Sequence, residues 1–222
     1  MYIQITTHCN MSCAHCIFSC SASKRGDFMT KDTFLKALRH CEDTGAYVTI
    51  GGGEPTLHPK FWEFLGYALA ADLESIWMAT NGSVKRTAKA LAKLAKSGVL
   101  GCALSQDEWH DPIDPEVIQI FQDLEIRNVS EHIINKGAAL ENGVGTEDGC
   151  GCPDVQVKPD GSVHMCGCPD SLRLGGIEVL EDYALFDRLR EVGEETDECG
   201  ANLNETQRAY ILGEIASLDE AA

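Results

Sequence analysis

Three cysteines, Cys9, Cys13 and Cys16, stand at C-x3-C-x2-C spacing directly after a strand-like run from Tyr2 to Thr6. Thiolate is the soft ligand that iron–sulfur clusters take. A loop crowding three of them can therefore hold three irons of a [4Fe–4S] cube and leave the fourth iron open. An open iron can bind a small molecule, whereas a fourth cysteine would close the site for storage or electron transfer. The competing reading is a zinc knuckle, which needs four ligands at different spacings.

The next stretches with chemical potential fall at the ends of later strand-like runs. Tyr47 to Ile50 leads into Gly51-Gly52-Gly53-Glu54, where consecutive glycines let backbone approach a ligand and the carboxylate accepts from a cationic group. Ser75 to Ala79 ends at Thr80-Asn81-Gly82, which reads equally well as a simple turn. Leu100 to Leu104 delivers Ser105, Gln106, Asp107, Glu108, Trp109, His110 and Asp111, a dense polar set. The carboxyl ends of the strands form the catalytic face of β/α barrels, so Asp107 and His110 are candidate catalytic residues. A solvated, helix-capping loop is the alternative for this segment.

The cysteine loop, with a ring at His15, and the Gly52-Gly53-Glu54 run one β/α unit later together resemble the radical S-adenosylmethionine (radical SAM) superfamily. The resemblance implies that Cys9, Cys13 and Cys16 hold a catalytic [4Fe–4S] cluster. Its open iron would chelate the amino and carboxylate groups of S-adenosyl-L-methionine, and the reduced cluster would cleave the sulfonium to a 5′-deoxyadenosyl radical. It further implies that Gly52, Gly53 and Glu54 bind the methionine amino group, and that Asn81 and His15 belong to the cofactor pocket. Ser105 would lie near the ribose or carboxylate, with Asp107 or His110 within reach of substrate. An electron donor such as flavodoxin or ferredoxin is implied as a partner.

Beyond Thr146 the composition turns to cysteine, glycine and hairpin signals. Cys150-Gly151-Cys152 precedes a strand from Asp154 to Lys158, a Pro159-Asp160-Gly161 turn, a second strand from Ser162, and Cys166-Gly167-Cys168. Asp-Gly between alternating strands marks a hairpin, which brings the two C-x-C pairs to one end. Four such thiols can take zinc or an iron–sulfur cluster. With Leu174-Gly175-Gly176-Ile177 following, the segment resembles the SPASM auxiliary-cluster extension, in its shortened Twitch form because only Cys199 remains downstream. That resemblance implies a second, auxiliary [4Fe–4S] cluster on Cys150, Cys166, Cys168 and Cys199, with Cys152 as the alternate.

Positioning these groups falls to an alternation of short strands with amphipathic helices, the pattern of a parallel β/α sheet or barrel. Thr30 reads as the cap of a helix reaching Asp43, and further helices are expected over Pro59–Ala71, Thr87–Ser97 and Pro115–Asp123. Asn128 to Ile134, before Lys136-Gly137-Ala138, reads as the last strand. That makes five where the radical SAM core has six. The expected fold is thus α/β, a shortened partial (β/α) barrel over residues 1–145, with a hairpin and helix iron–sulfur extension over 146–222 closed by a helix containing Tyr210, Ile211 and Ile215.

Composition bounds the function. In 222 residues, 35 Asp and Glu against 18 Lys and Arg give a net charge of −17, which argues against duplex nucleic acid as a partner. No apolar run reaches the length of a membrane span and no signal peptide leads the chain, so a cytoplasmic protein is expected. Eleven clustered cysteines then point to metal or redox use over disulfides, with Cys41 and Cys102 as ordinary buried thiols. Three function classes remain. The favoured one is a small-molecule radical SAM oxidoreductase, since no leader-binding domain precedes the barrel. A peptide-modifying maturase and a non-catalytic iron–sulfur or zinc protein are the alternatives.

Overall fold

The computed structural model describes residues 1–130, 132–146 and 154–184, with 205–206, 209–210 and 213. Cys150, Cys152 and Cys199, and most of the expected closing helix with Ile211 and Ile215, lie outside the described residues. Five parallel strands, β1 (Tyr2–Thr6), β2 (Val48–Gly52), β3 (Ile76–Thr80), β4 (Gly101–Ser105) and β5 (Glu125–Arg127), lie side by side in chain order. Alternation along β1 sends Ile3 and Ile5 into the helix layer, where both are fully buried. Tyr2 faces the other way, in one row with Thr49, Trp77 and Gly101.

The helices α1 (Lys31–Thr44), α2 (Phe61–Ala70), α3 (Lys85–Lys96) and α4 (Pro115–Phe121) connect these strands. Thr30 caps α1 as expected, its hydroxyl accepting from the Thr33 amide at 3.1 Å. The core packs their apolar faces against the sheet. Phe34 of α1 and Phe64 of α2 stack with ring centroids 4.3 Å apart, and each buried phenyl contributes about 1.5–3 kcal/mol. Cys41 and Cys102 sit in this core, where burial pushes their thiols up to about 11 and about 12. They are inert there.

The last parallel strand departs from the sequence expectation. β5 occupies Glu125–Arg127, and the described residues 128–130 and 132–133 are loop. Local bonds curl that loop: the Ser130 amide donates to Asn128 Oδ1 at 3.0 Å and the His132 amide to the Val129 carbonyl at 3.0 Å. Those amides are thereby withdrawn from any ladder. Five strands are joined by β/α returns, and among the described residues no strand pairs with the outer edge of β5. After the short helix α5 (Ala138–Glu141), the expected hairpin forms from β6 (Gln156–Val157) and β7 (Val163–His164), to which β8 (Arg173–Gly175) adds antiparallel. β6 also pairs in parallel with β1, so the hairpin extends the same eight-stranded sheet. A 3-10 turn, Ile177–Glu181, follows.

Candidate active site

A cavity of about 260 Å³ opens at the carboxyl ends of the parallel strands. Its wall includes Cys9, Cys13, His15 and Cys16 from the loop after β1, Gly52 at the end of β2 with Gly53 and Glu54 after it, Asn81 after β3, and Ser105 at the end of β4 with Asp107 and His110 after it. All the candidate residues of the amino-terminal half thus converge on one space. Cys166 and Cys168 are fully buried in the hairpin extension and do not line it.

The cysteine loop is held from two sides. Asn81 Nδ2 donates to Asn10 Oδ1 at 3.0 Å and lies 4.0 Å from Cys9 Sγ, while the Ala138 amide donates to the Cys16 carbonyl at 3.0 Å. Burial, then the neighbouring Cys16 and Cys9, pushes the Cys13 thiol up to about 12, and burial likewise raises Cys9. Cys9 and Cys13 thus resist ionisation unless a cation neutralises them, whereas the pKa of the Cys16 thiol is lowered. A fourth thiol is present that sequence reasoning passed over. Cys20 is buried with Cys9 and Met11, its S–H directed to the Phe18 carbonyl at 3.9 Å, and its closeness to Cys16 lowers the Cys16 thiol's pKa and raises its own. The signal was there, since Cys20 follows Cys16 at the C-x3-C spacing that separates Cys9 from Cys13.

The glycine run does what its residue type allows. A Cβ on Gly52, at φ 155°, would meet the Thr6 carbonyl oxygen at 2.3 Å, and one on Gly53 would meet the His8 carbonyl oxygen at 2.4 Å. The run is therefore pressed against the start of the cysteine loop. Glu54 is buried beside it. Its Oε1 accepts from the Thr56 hydroxyl at 2.6 Å, the Thr80 hydroxyl at 2.8 Å and the Thr56 amide at 3.1 Å, and its Oε2 accepts from the Asn81 amide at 2.7 Å. Burial raises its pKa against these donors. Oε2 keeps a lone pair for one further donor.

Across the cavity, His110 Nδ1 donates to Asp107 Oδ1 at 2.7 Å, and His15 Nε2 lies 3.8 Å from Asp107 Oδ2. Burial pushes the Asp107 carboxyl upward, but the His110 bond and charge, the Trp109 amide and His15 outweigh it and hold the carboxyl below its ordinary value. With Nδ1–H bound, His110 presents Nε2 as an acceptor. Burial lowers the His15 pKa, and its Nδ1 is buried with no hydrogen-bond partner among the described residues. The donor set fits an iron–sulfur cluster with a bound amino-acid group: three thiols on one wall, a backbone cradle that side chains would fill, and a carboxylate with one open position.

Comparison with known proteins agrees. Residues 3–125 match the Radical SAM superfamily model, more than half of the chain. Mycofactocin maturase MftC of Mycobacterium ulcerans is 34% identical over 112 residues, 47% of this chain and 28% of that protein. The tungsten-containing aldehyde ferredoxin oxidoreductase cofactor-modifying protein of Pyrococcus furiosus is 34% identical over 108 residues, 45% of this chain and 28% of that protein. The chain therefore aligns with under a third of the length of these curated relatives. The solved structure of BtrN in complex with AdoMet and 2-DOIA superposes with a TM-score of 0.63 over 90% of both chains at 16% identity, a likeness of fold. The protein belongs to the radical SAM superfamily. Its fold is a partial β/α barrel, and membership implies a [4Fe–4S] cluster and S-adenosylmethionine as cofactors.

Proposed function

We propose that this enzyme reductively cleaves S-adenosylmethionine and abstracts hydrogen from a small-molecule substrate, with net oxidation assisted by an auxiliary [4Fe–4S] cluster. The observation that carries the reading is the convergence of Cys9, Cys13 and Cys16, the Gly52–Glu54 run and the Asp107–His110 pair on one cavity. The cysteines would hold the catalytic cluster, Gly52, Gly53 and Glu54 the methionine amino group, and Asn81, Ser105 and His15 the remainder of the cofactor. When bound, these groups supply a 5′-deoxyadenosyl radical that takes a hydrogen atom from a C–H bond.

The chain's own part is to aim, exclude water and handle the proton. His110 Nε2 is the acceptor for a proton that an oxidised substrate would release, and Asp107 would stabilise the ring once charged. Residues 1–145 would form the catalytic barrel and 146–222 the Twitch-like region, with Cys150, Cys166, Cys168 and Cys199 as auxiliary ligands and Cys152 as alternate. The resulting electron demand fits a flavodoxin- or ferredoxin-type donor, and a reducing cytoplasm suits the thiols. No helix among the described residues is long and apolar enough to cross a membrane.

A maturase is the second reading, favoured by the names of the curated relatives. In either case, anaerobically reconstituted protein should form 5′-deoxyadenosine with a chemical reductant. Replacing Cys9, Cys13 and Cys16 together by Ala should abolish it. Continued formation in that variant would end the proposal.

A further inference from the structure

Phe18 has no role in the reading above, yet it touches both cysteine-bearing regions. It lies two residues past Cys16, lines the cavity and packs against the buried cluster of Cys9, Met11 and Cys20. Its ring meets that of Tyr2 in β1, with centroids 5.7 Å apart. The edge of the ring meets Gly167, the residue between Cys166 and Cys168: a Cβ there would lie 3.8 Å and 3.9 Å from two ring atoms, ordinary contact distances. A second link runs beside the first. Asp170, two residues past Cys168, pairs with Lys136 at 3.0 Å, and the segment from Lys136 continues to Ala138, whose amide donates to the Cys16 carbonyl at 3.0 Å.

We propose that Phe18 is a positioning residue, through which metal held by Cys166 and Cys168 seats the cysteine loop and tightens S-adenosylmethionine binding; the inference rests on the reading of Cys9, Cys13 and Cys16 as cluster ligands. The two partners of the ring differ in stiffness. Cys166 and Cys168 are fully buried, and Ser171 closes their turn, its hydroxyl accepting from the Cys166 amide at 2.9 Å and its amide donating to the Cys168 carbonyl at 3.0 Å. The loop from Cys9 to Cys20 contains no strand or helix, so its place is set by contacts from outside it. A close-packed ring between two such segments passes a displacement on and does not absorb it. Metal at the turn stiffens the turn, the turn seats Phe18, and Phe18 with the Ala138 bond holds the Cys16 end of the loop where the three thiolates must converge. Coupling of this kind is reciprocal, so a ligand on the loop also steadies the metal at the turn.

The test measures S-adenosylmethionine affinity by calorimetry in cluster-loaded protein, in a cycle of Phe18→Ala against emptying of the turn with Cys166→Ala and Cys168→Ala. Emptying the turn should weaken binding about fivefold or more when Phe18 is present, and by less than about twofold in Phe18→Ala. Gly167→Val spares every cysteine and presses a branched side chain onto the ring, which covers the case of an emptied hairpin that does not fold. It should weaken binding, and alter the EPR line shape of the reduced protein at unchanged iron content, only where Phe18 is present. Losses that simply add in the combined variants overturn the proposal. So does unchanged affinity on emptying the turn or enlarging Gly167 in the presence of Phe18. A wild type that binds no S-adenosylmethionine and forms no 5′-deoxyadenosine sinks the reading of the site and this inference with it. Intact cofactor binding with additive losses removes the inference alone.

Discussion

Glu54 and Asn81 are joined by a 2.7 Å hydrogen bond from the Asn81 amide to Glu54 Oε2, which ties the end of β2 to the end of β3. Thr80, the last residue of β3, donates to the other oxygen at 2.8 Å. Glu54 is therefore both a clasp between strands and, under the proposed function, the acceptor for the methionine amino group.

Two effects should separate by substitution. Glu54→Gln keeps the size of the side chain but removes the charge, and a charge-assisted hydrogen bond contributes about 1.5–3 kcal/mol, so S-adenosylmethionine should bind at least tenfold more weakly by calorimetry. Glu54→Ala should show the same loss and also melt earlier, because Thr80 and the Asn81 amide are left buried without an acceptor. Unchanged cofactor affinity in both variants would show that this carboxylate is a clasp alone.

Iron counting tests the carboxyl-terminal region. Two [4Fe–4S] clusters predict about eight irons per wild-type chain and about four in the Cys9, Cys13 and Cys16 triple variant. Cys166→Ala with Cys168→Ala should also keep about four and continue to form 5′-deoxyadenosine, since neither residue lines the cavity. Zinc in place of iron in the triple variant would reduce the region to a structural clip, because zinc has no accessible electron step.

Much of this was legible because it depends on local chemistry. The C-x3-C-x2-C spacing, the glycine run after Ile50, the Thr30 cap and the Asp160-Gly161 turn all declare themselves within a few residues, whereas the packing of Gly52 and Gly53 against Thr6 and His8 does not. Glu125–Arg127 did not, because an exposed three-residue strand shows no apolar alternation, while Val129, Ile133 and Ile134 beyond it are β-formers in a segment where Asn128 bonds the Ser130 amide. Cys20 was missed for a different reason. Its spacing from Cys16 was visible, but its burial with Cys9 and Met11 depends on the loop's path. Arg127 over Trp77 joins residues of strands that are not neighbours, which no sequence window contains.

Stability should fall as the medium is acidified, and His58 is one named cause. Its Nε2 donates to the Met29 carbonyl at 3.1 Å and its Nδ1 accepts from the Lys60 amide at 3.0 Å, so the buried ring is held neutral. Burial first, with the Lys60 charge adding to it, lowers its pKa against the Met29 bond. Below about pH 6.5 the unfolded chain therefore binds a proton that the folded one resists, and the stability present above that pH is lost as pH falls. His40 and His164, also lowered by burial, act in the same sense. Anaerobic urea melts at pH 7.5, 6.5 and 5.5 should show a smaller acid loss for His58→Gln than for the wild type. An identical pH slope in the two proteins would remove His58 from this account.

The pairing of β1 with β6 also sets an order of events during folding. Gln4 and Gln156 share a buried hydrogen bond of 3.1 Å although they lie 152 positions apart, so that edge of β1 closes only after nearly the whole described chain has been organised. Non-local closure carries the larger entropic cost and comes late, whereas β1 to β4 assemble through short β/α returns. Until the hairpin arrives, β1 is an open edge, and the cysteine loop at its end is reachable from that flank. Pulsed hydrogen exchange should therefore protect β2 and β3 before Gln156 and Val157.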